Sequence, residues 1–474
     1  MLSGIVSLFN SLLWGAPTLA LFIGSGIYFT VRLKFVQFRG FPAAFSAIWQ
    51  DIKKPAPKDK DQKGLSPVAA LAASLGAVMG PGNLVGVSSA ILLGGAGAVF
   101  WMWVSAILGM ASRFAESALA VITRRNRNGQ NHGGPMYLME DMGNRKTAIL
   151  FALMGVFLSV SMANALPAGA LASSLSESYG ISPLVTGAVL SALVALTVLG
   201  GMKRISSVAS VVVPAMSLFF MGAAIFVISM SPAAALQAFL SIFKGAFSLS
   251  AGIGGLVGTV IRYGIARGIY SNEAGMGTDP LIAAATSEEN PARQGLISMT
   301  APFLDTIVFC TFTALVILMA KDYIPATAGG MPAEAFAYFL PGSGRFIVNV
   351  TLALLVFATV SSWACFGEEC LLYLTQKPLW QKLYRFFYCI IPVSMAGLSL
   401  NLLLDLSDIA TALMAIPNLI ITMMAIAAMP KGELDITSLK NSARKEKKQA
   451  KKEKPRRRVR QKRKARVMPT PSGV

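Results

Sequence analysis

The sequence predicts an all-α membrane protein of about eleven transmembrane helices. They form a five-plus-five inverted repeat with two broken helices, preceded by one extra N-terminal helix. Three observations predict it. The 474 residues are 54% hydrophobic and 14% charged, with a mean hydropathy of +0.60, a balance typical of polytopic membrane proteins and not of soluble ones. Lys and Arg gather in every second loop between the apolar runs. Two of those runs, five apart in order, carry glycine-rich interruptions.

The apolar runs lie at about 11–32, 67–93, 97–123, 147–174, 183–200, 208–230, 237–262, 295–320, 345–374, 383–403 and 408–429. All but 183–200 exceed the roughly 20 residues that cross a hydrocarbon core. Run one is followed by Arg32, Lys34, Arg39, Lys53, Lys54, Lys58, Lys60 and Lys63, and run three by Arg124, Arg125, Arg127, Arg145 and Lys146. Runs five, seven and nine exit to Lys203 and Arg204, to Arg267 and Arg293, and to Lys377 and Lys382. The alternate loops are nearly free of such residues, Lys321 excepted. The positive-inside rule then puts every odd-numbered exit in the cytoplasm, the N-terminus outside and the C-terminus inside, in a multi-pass protein of the cell inner membrane. MLSGIVSLFN lacks a basic start and a following cleavage site, so no removable signal peptide is expected.

These runs divide the chain into an accessory transmembrane helix (1–52), a polar Pro/Lys linker (53–66), a helical core (67–430) and a basic tail (431–474). The core splits into repeats at 67–236 and 237–430. The tail holds 17 of the 42 Lys/Arg and 4 of the 22 Asp/Glu, and so most of the formal net charge of +20. With almost no apolar residue after Arg444 it is expected to be disordered and to lie on anionic lipid. Charge alone supports no specific nucleic-acid partner.

The first interruption falls inside 71–92, where Gly80, Pro81, Gly82 and Asn83 break an otherwise apolar segment. Proline removes an N–H and clashes with the preceding turn, and glycine adds backbone freedom. At membrane depth such a break is tolerated where it is buried or lines a cavity. Its half-helix ends can hold a carboxylate and a cation. The alternative is a packing kink. The second interruption, 248–258, contains Gly252, Gly254, Gly255 and Gly258 in run seven. Runs two and seven start from opposite sides, the pattern of an inverted repeat with a midplane site.

Nothing here favours an enzyme: there is no nucleophile elbow, Cys/His pair or phosphate-cradling loop, and His132 is the single histidine. Cys310, Cys365, Cys370 and Cys389 read as small buried hydrophobes. Among acids within the runs, Glu116 shares a helical face with Arg113, and the two are expected to neutralise each other, the alternative being a proton-coupling role. Asp305 has no basic residue within a turn and is the better functional candidate, with a partner from another helix as the equal alternative. Thr359, Ser361 and Ser362 could supply oxygens to a hard cation, although such hydroxyls usually bond to their own helix.

Several stretches resemble the alanine or glycine:cation symporter family. GGAGAVFWMWVSAILGM at 94–110, GGPMYL at 133–138, GGMKR at 200–204 and RGIYSNEAGMGTD at 267–279 are similar to family motifs in order and spacing, from about residue 15 to 430. The resemblance implies the leucine-transporter fold and alternating-access symport of a small neutral amino acid with sodium. It implies substrate contacts from Gly80, Pro81, Gly82 and Asn83, from Gly252, Gly254 and Gly255, and from Trp363. It implies a sodium site of carbonyls near Ala77 and Gly80 with Thr359 and Ser362; no other cofactor is expected.

Departures gather at that site. Pro81 stands where the family usually has threonine, and Pro167 falls opposite its span-four glutamine. The family's Gly-Trp-Tyr-Tyr-Tyr-Gly is Ser362-Trp363-Ala364-Cys365-Phe366-Gly367 here. They leave three rival readings: a changed solute, coupling to protons instead of sodium, and a transporter-derived amino-acid sensor.

Overall fold

The structure, a computed structural model, describes residues 13–53, 64–127, 129–247, 256–325, 329–395, 401–430 and 432–436. Among the described residues, apart from one two-stranded hairpin, the regular structure is helical. In order the helices are α1 (Ala16–Arg32), α2 (Val36–Arg39), α3 (Phe41–Lys53), α4 (Pro67–Val78) and α5 (Val85–Gly94). Then come α6 (Ala98–Thr123), the hairpin β1 (Arg125–Arg127) and β2 (Gln130–His132), α7 (Pro135–Asp141) and α8 (Arg145–Tyr179). They are followed by α9 (Pro183–Val198), α10 (Gly201–Met230), α11 (Pro232–Ala246), α12 (Leu256–Asn272) and α13 (Asp279–Ala283). The last are α14 (Pro291–Tyr323), α15 (Met331–Phe339), α16 (Gly344–Leu374), α17 (Pro378–Ser394) and α18 (Asn401–Ala428).

Among the described residues, six of these helices are long and apolar enough to cross a membrane, and a bent pair makes a seventh. That pair is α4 and the segment Pro81–Gly94, which meet at 64°. The reason for the bend lies in the packing. Helix α4 lies against α10 and α16, whereas α5 lies against α12, so the break moves the chain from one set of helices to another. Met79 ends α4, and Pro81–Asn83 forms a single 3₁₀ turn before α5. Ser66 caps the start of α4 by accepting from the Ala69 N–H at 3.2 Å.

Two packing groups follow. Helix α6 is covered by α12, α14 and α1, while α16 is covered by α8 and α10, and α9 packs on α17. The aromatic residues of the 94–110 motif fasten α11 to the start of α6. Phe100 meets Phe247 at 5.0 Å and Trp103 meets Phe243 at 5.7 Å between ring centroids.

Two expectations change here. The run read at 237–262 is not one helix: α11 ends at Ala246, and α12 continues to Asn272. The accessory segment 1–52 holds not only α1 but also α2 and α3, because Lys34 and Phe35 adopt left-handed φ values of 54° and 56° and end α1. Gly252, Gly254 and Gly255, residues 54–63 of the linker and nearly all of the tail lie outside the described residues. The chain divides into two units, Met1–Pro430 and Lys431–Val474; the described residues of the second are mostly in turns.

Candidate functional site

The first break is held largely by its own residues. The Gly80 N–H donates to Asn83 Oδ1 at 3.0 Å, the Asn83 N–H to the Gly80 carbonyl at 3.1 Å and the Leu84 N–H to the Pro81 carbonyl at 3.1 Å. Proline contributes no donor. Asn83 is fully buried, and its Nδ2 donates to Asp305 Oδ1 at 2.6 Å. Asp305 sits in a wide, π-helical stretch of α14, Phe303–Phe309. It also accepts from Ser271 at 2.6 Å and Thr306 at 2.8 Å. Among the described residues no Lys or Arg nitrogen comes within 4 Å of it. Its partners are polar groups on α12, on α14 and in the first break.

A second break faces the first. Residues 273–278 separate α12 from α13, and Glu273, Gly275 and Gly277 there have φ of 52°, 90° and 79°. Glycine takes such angles freely, but a glutamate does not. Side chains of other helices hold it. Arg113 of α6 donates to the Asn272 carbonyl at 2.5 Å, to Ser74 of α4 at 2.6 Å and to Asp279 at 3.2 Å. Ser74 and Ser117 both donate to Asp279. Asn418 of α18 donates to the Gly275 carbonyl at 2.9 Å and to Glu116 at 2.5 Å, while the Gly275 N–H points at Glu116 from 3.4 Å. The expected pairing of Arg113 with Glu116 is therefore replaced. The Arg113 guanidinium reaches across to α13 instead, and Glu116 is satisfied by an amide and a backbone N–H.

Glu273 is 4% exposed and accepts from Trp363 Nε1 at 3.2 Å and from Thr278 at 2.9 Å. It lines a cavity of about 340 Å³ together with Gly80, Pro81, Gly82, Arg267, Tyr270, Thr359 and Trp363. The far wall is Met162, Ala163, Leu166 and Pro167 of α8. There a π-helical turn, Ser161–Ala165, runs directly into the proline, and Asn164 donates to the Tyr388 carbonyl of α17 at 2.9 Å. Pro81 and Pro167 thus line the same cavity, as do Gly80, Gly82, Ala77, Thr359 and Trp363. Asn83 does not line it; its side chain is turned to Asp305.

Beside the cavity α4 ends against α16. Thr359 Oγ1 donates to the carbonyls of Gly76 at 3.2 Å and Met79 at 3.3 Å, which flank the expected Ala77 and Gly80. Ser362 is fully buried and its Oγ has no hydrogen-bond partner. A Cβ at Gly76 would stand 2.7 Å from that oxygen, so only glycine lets the two helices meet here. A buried hydroxyl without a partner is costly, and a hard cation beside it would use this oxygen.

Sequence reasoning missed Glu273 and the whole second break as cavity-forming. The signal was present in the 267–279 motif, whose Gly275 and Gly277 mark a turn with positive φ. Away from the cavity, His132 Nδ1 on the hairpin lies 3.0 Å from Glu369 of α16. Hydrogen bonding to that carboxylate raises the His132 pKa above the usual 6.5, although partial burial opposes it.

The chain is similar to known transporters. A family model described as the sodium:alanine symporter family matches residues 1–454. An uncharacterised transporter of Haemophilus influenzae is 42% identical over 430 residues, covering 88% of this chain and 92% of its own. The sodium/alanine symporter AgcS of Methanococcus maripaludis is 38% identical over 429 residues, covering 88% and 93%. A solved structure of a Na⁺-coupled sialic acid symporter in a substrate-bound outward-open state aligns with a TM-score of 0.48 at 12% identity, covering 85% and 82%.

Proposed function

This chain belongs to the sodium:alanine symporter family, a multi-pass membrane transporter family, and from that premise we propose that it imports a small neutral amino acid of the alanine/glycine class with sodium. The observation that carries the reading is the cavity between two helix breaks, with a buried carboxylate, Glu273, on one side and the 80–83 break on the other. Such a pair suits a zwitterion. Glu273 accepts from the substrate ammonium in place of its Trp363 contact. The carboxylate goes to the first break, where Gly80, Asn83 and Leu84 already spend their N–H groups and Pro81 has none. Gly82 is thereby assigned the carboxylate contact.

Sodium is assigned to the junction of α4 and α16, with Thr359, Ser362 and the carbonyls at the end of α4 as oxygen ligands. The orphaned Ser362 hydroxyl supports this placement. An ion there would draw α4 onto α16 next to the substrate, so each favours binding of the other. In this reading the core is a five-plus-five inverted repeat in about eleven spans. It rocks about the two breaks to open first outward and then to the cytoplasm, across the inner membrane. A changed solute is the second reading, favoured by Pro81 and Pro167 lining the same cavity.

The test is uptake of labelled alanine, glycine and serine into proteoliposomes with and without an inward sodium gradient. Sodium-driven accumulation is expected. Accumulation driven only by protons would remove the ion assignment, and saturable binding without accumulation would make the protein a sensor. Neither uptake nor binding would mean a different solute.

A further inference from the structure

Helix α3 presents three distinct faces, and only one of them is used by the fold. The chain reaches it through a tight reversal. Lys34 and Phe35 take left-handed φ values, a costly conformation for residues other than glycine, Asn and Asp. The turn is fixed by the Phe35 N–H on the Thr30 carbonyl at 2.7 Å and by Gln37 on Thr30 Oγ1 at 2.8 Å. The first face of α3 carries Ala44, Ala47 and Asp51. The two alanines are buried, and Asp51 pairs with Arg293 of α14 at 2.7 Å. Arg293 in turn pairs with Glu288.

The second face carries Phe45, Trp49 and Ile52, whose i, i+4, i+7 spacing stacks them on one side. They are 38%, 60% and 58% exposed, and Phe38 on the preceding turn adds another at 60%. The third face is polar: Gln50 donates to Ser46 at 3.3 Å, and Lys53 holds its ammonium over the Trp49 ring at 4.8 Å. Arg32, Lys34 and Arg39 crowd the approach to the helix, and Lys54, Lys58, Lys60 and Lys63 follow it in sequence.

We propose that α3 is an interfacial helix that lies on the anionic phospholipid of the cytoplasmic leaflet. Phe45, Trp49 and Ile52 enter the boundary between headgroups and acyl chains, and Lys53 with Lys34 and Arg39 meets the phosphates. Charge and face geometry choose this occupant. A helix immersed in hydrocarbon would put Ser46, Gln50 and Lys53 in oil. A helix in water would leave Trp49 and Ile52 exposed on one face. An apolar stripe bordered by cations, on a segment that follows the apolar helix α1, is the signature of a surface-lying helix. The Asp51–Arg293 pair ties that surface contact to α14, whose later turns carry Asp305.

The test reads depth and needs no transport assay, so it fails or succeeds independently of the proposed function. The full chain is reconstituted in phosphatidylcholine vesicles with or without phosphatidylglycerol, carrying a nitroxide at Trp49→Cys or Gln50→Cys; the four native cysteines are buried. Ile52→Cys serves if Trp49→Cys does not fold. Expected are a label at 49 or 52 relaxed by oxygen and a label at 50 relaxed by a water-soluble nickel chelate. Nickel access at 49 should rise several-fold without phosphatidylglycerol or with Lys53→Glu. A label at 49 in water in every vesicle would overturn the proposal. So would equal oxygen access at 49 and 50, which means immersion, and so would dipolar broadening between copies, which means a protein interface.

Discussion

The two helix breaks border one cavity and are made by different means. The first, at 80–83, is made by its own chemistry: a proline without an N–H, two glycines, and an asparagine that folds back on Gly80 at 3.0 Å. None of its residues needs a positive φ. The second, at 273–278, has three positive φ values, one of them on a glutamate. Side chains from α4, α6, α16 and α18 grip it. A break written locally can change residue by residue without loss of the fold. A break imposed by its surroundings is only as stable as the contacts around it.

The largest effect should come from removing that grip. Arg113→Ala leaves Asp279 buried and unpaired and should cost about 3–5 kcal/mol, read as a fall in the thermal unfolding temperature in detergent. Were the protein as stable as before, the second break would not depend on its surroundings. Next comes a paired test. Gly277→Ala forces a side chain into φ 79° and brings its Cβ within 2.6 Å of Pro135 Cγ and 3.0 Å of Asn418, and should cost about 2–4 kcal/mol from backbone strain and overpacking together. Gly82→Ala meets Tyr270 at 3.4 Å and Ser271 Cα at 3.9 Å, both contacts without overlap, and should leave the unfolding temperature nearly unchanged while altering uptake. Equal destabilisation by the two would erase the distinction.

Pro81→Thr sharpens the comparison from the other side, since it restores an N–H and adds a hydroxyl. About 1 kcal/mol per hydrogen bond gained corresponds to a roughly fivefold lower half-saturation for the amino acid. An unchanged or raised value would show that the proline is part of the specificity. Ser362→Ala should raise the half-saturating sodium concentration several-fold and leave that for the amino acid at saturating sodium nearly unchanged.

The smallest effect belongs to His132. Its folded pKa is raised by Glu369, so its contribution is complete below the unfolded value of about 6.5. It is lost as pH rises through the higher folded value. Unfolding temperatures from about pH 5.5 to about pH 8.5 should fall more steeply for the native chain than for His132→Gln, by less than about 1 kcal/mol. Parallel slopes would mean that the hairpin contact carries no such linkage.

Much of this was legible in the residues. Gly80, Pro81, Gly82 and Asn83 announce a break because proline and glycine act through their own backbones. The apolar runs are visible because hydropathy is summed along the chain. The 94–110 and 267–279 motifs carry the family. What could not be read is which side chains meet. Arg113 and Glu116 share a helical face, yet each turns to a different partner, because Asp279, Asn418 and the ends of the second break arrive from far away in sequence. The run at 237–262 misplaced α12 for a similar reason: hydropathy sees apolar length and not the turn at 273–278 that other helices impose. Glu273 reads in sequence as one acid in a polar loop. Only the fold gives it a left-handed backbone, a tryptophan partner and a place in the cavity wall. Sequence alone determined a largely helical chain with several strongly apolar runs, the first break and the family. The tertiary structure decided the second break and the cavity between the two, because contacts across hundreds of residues set both.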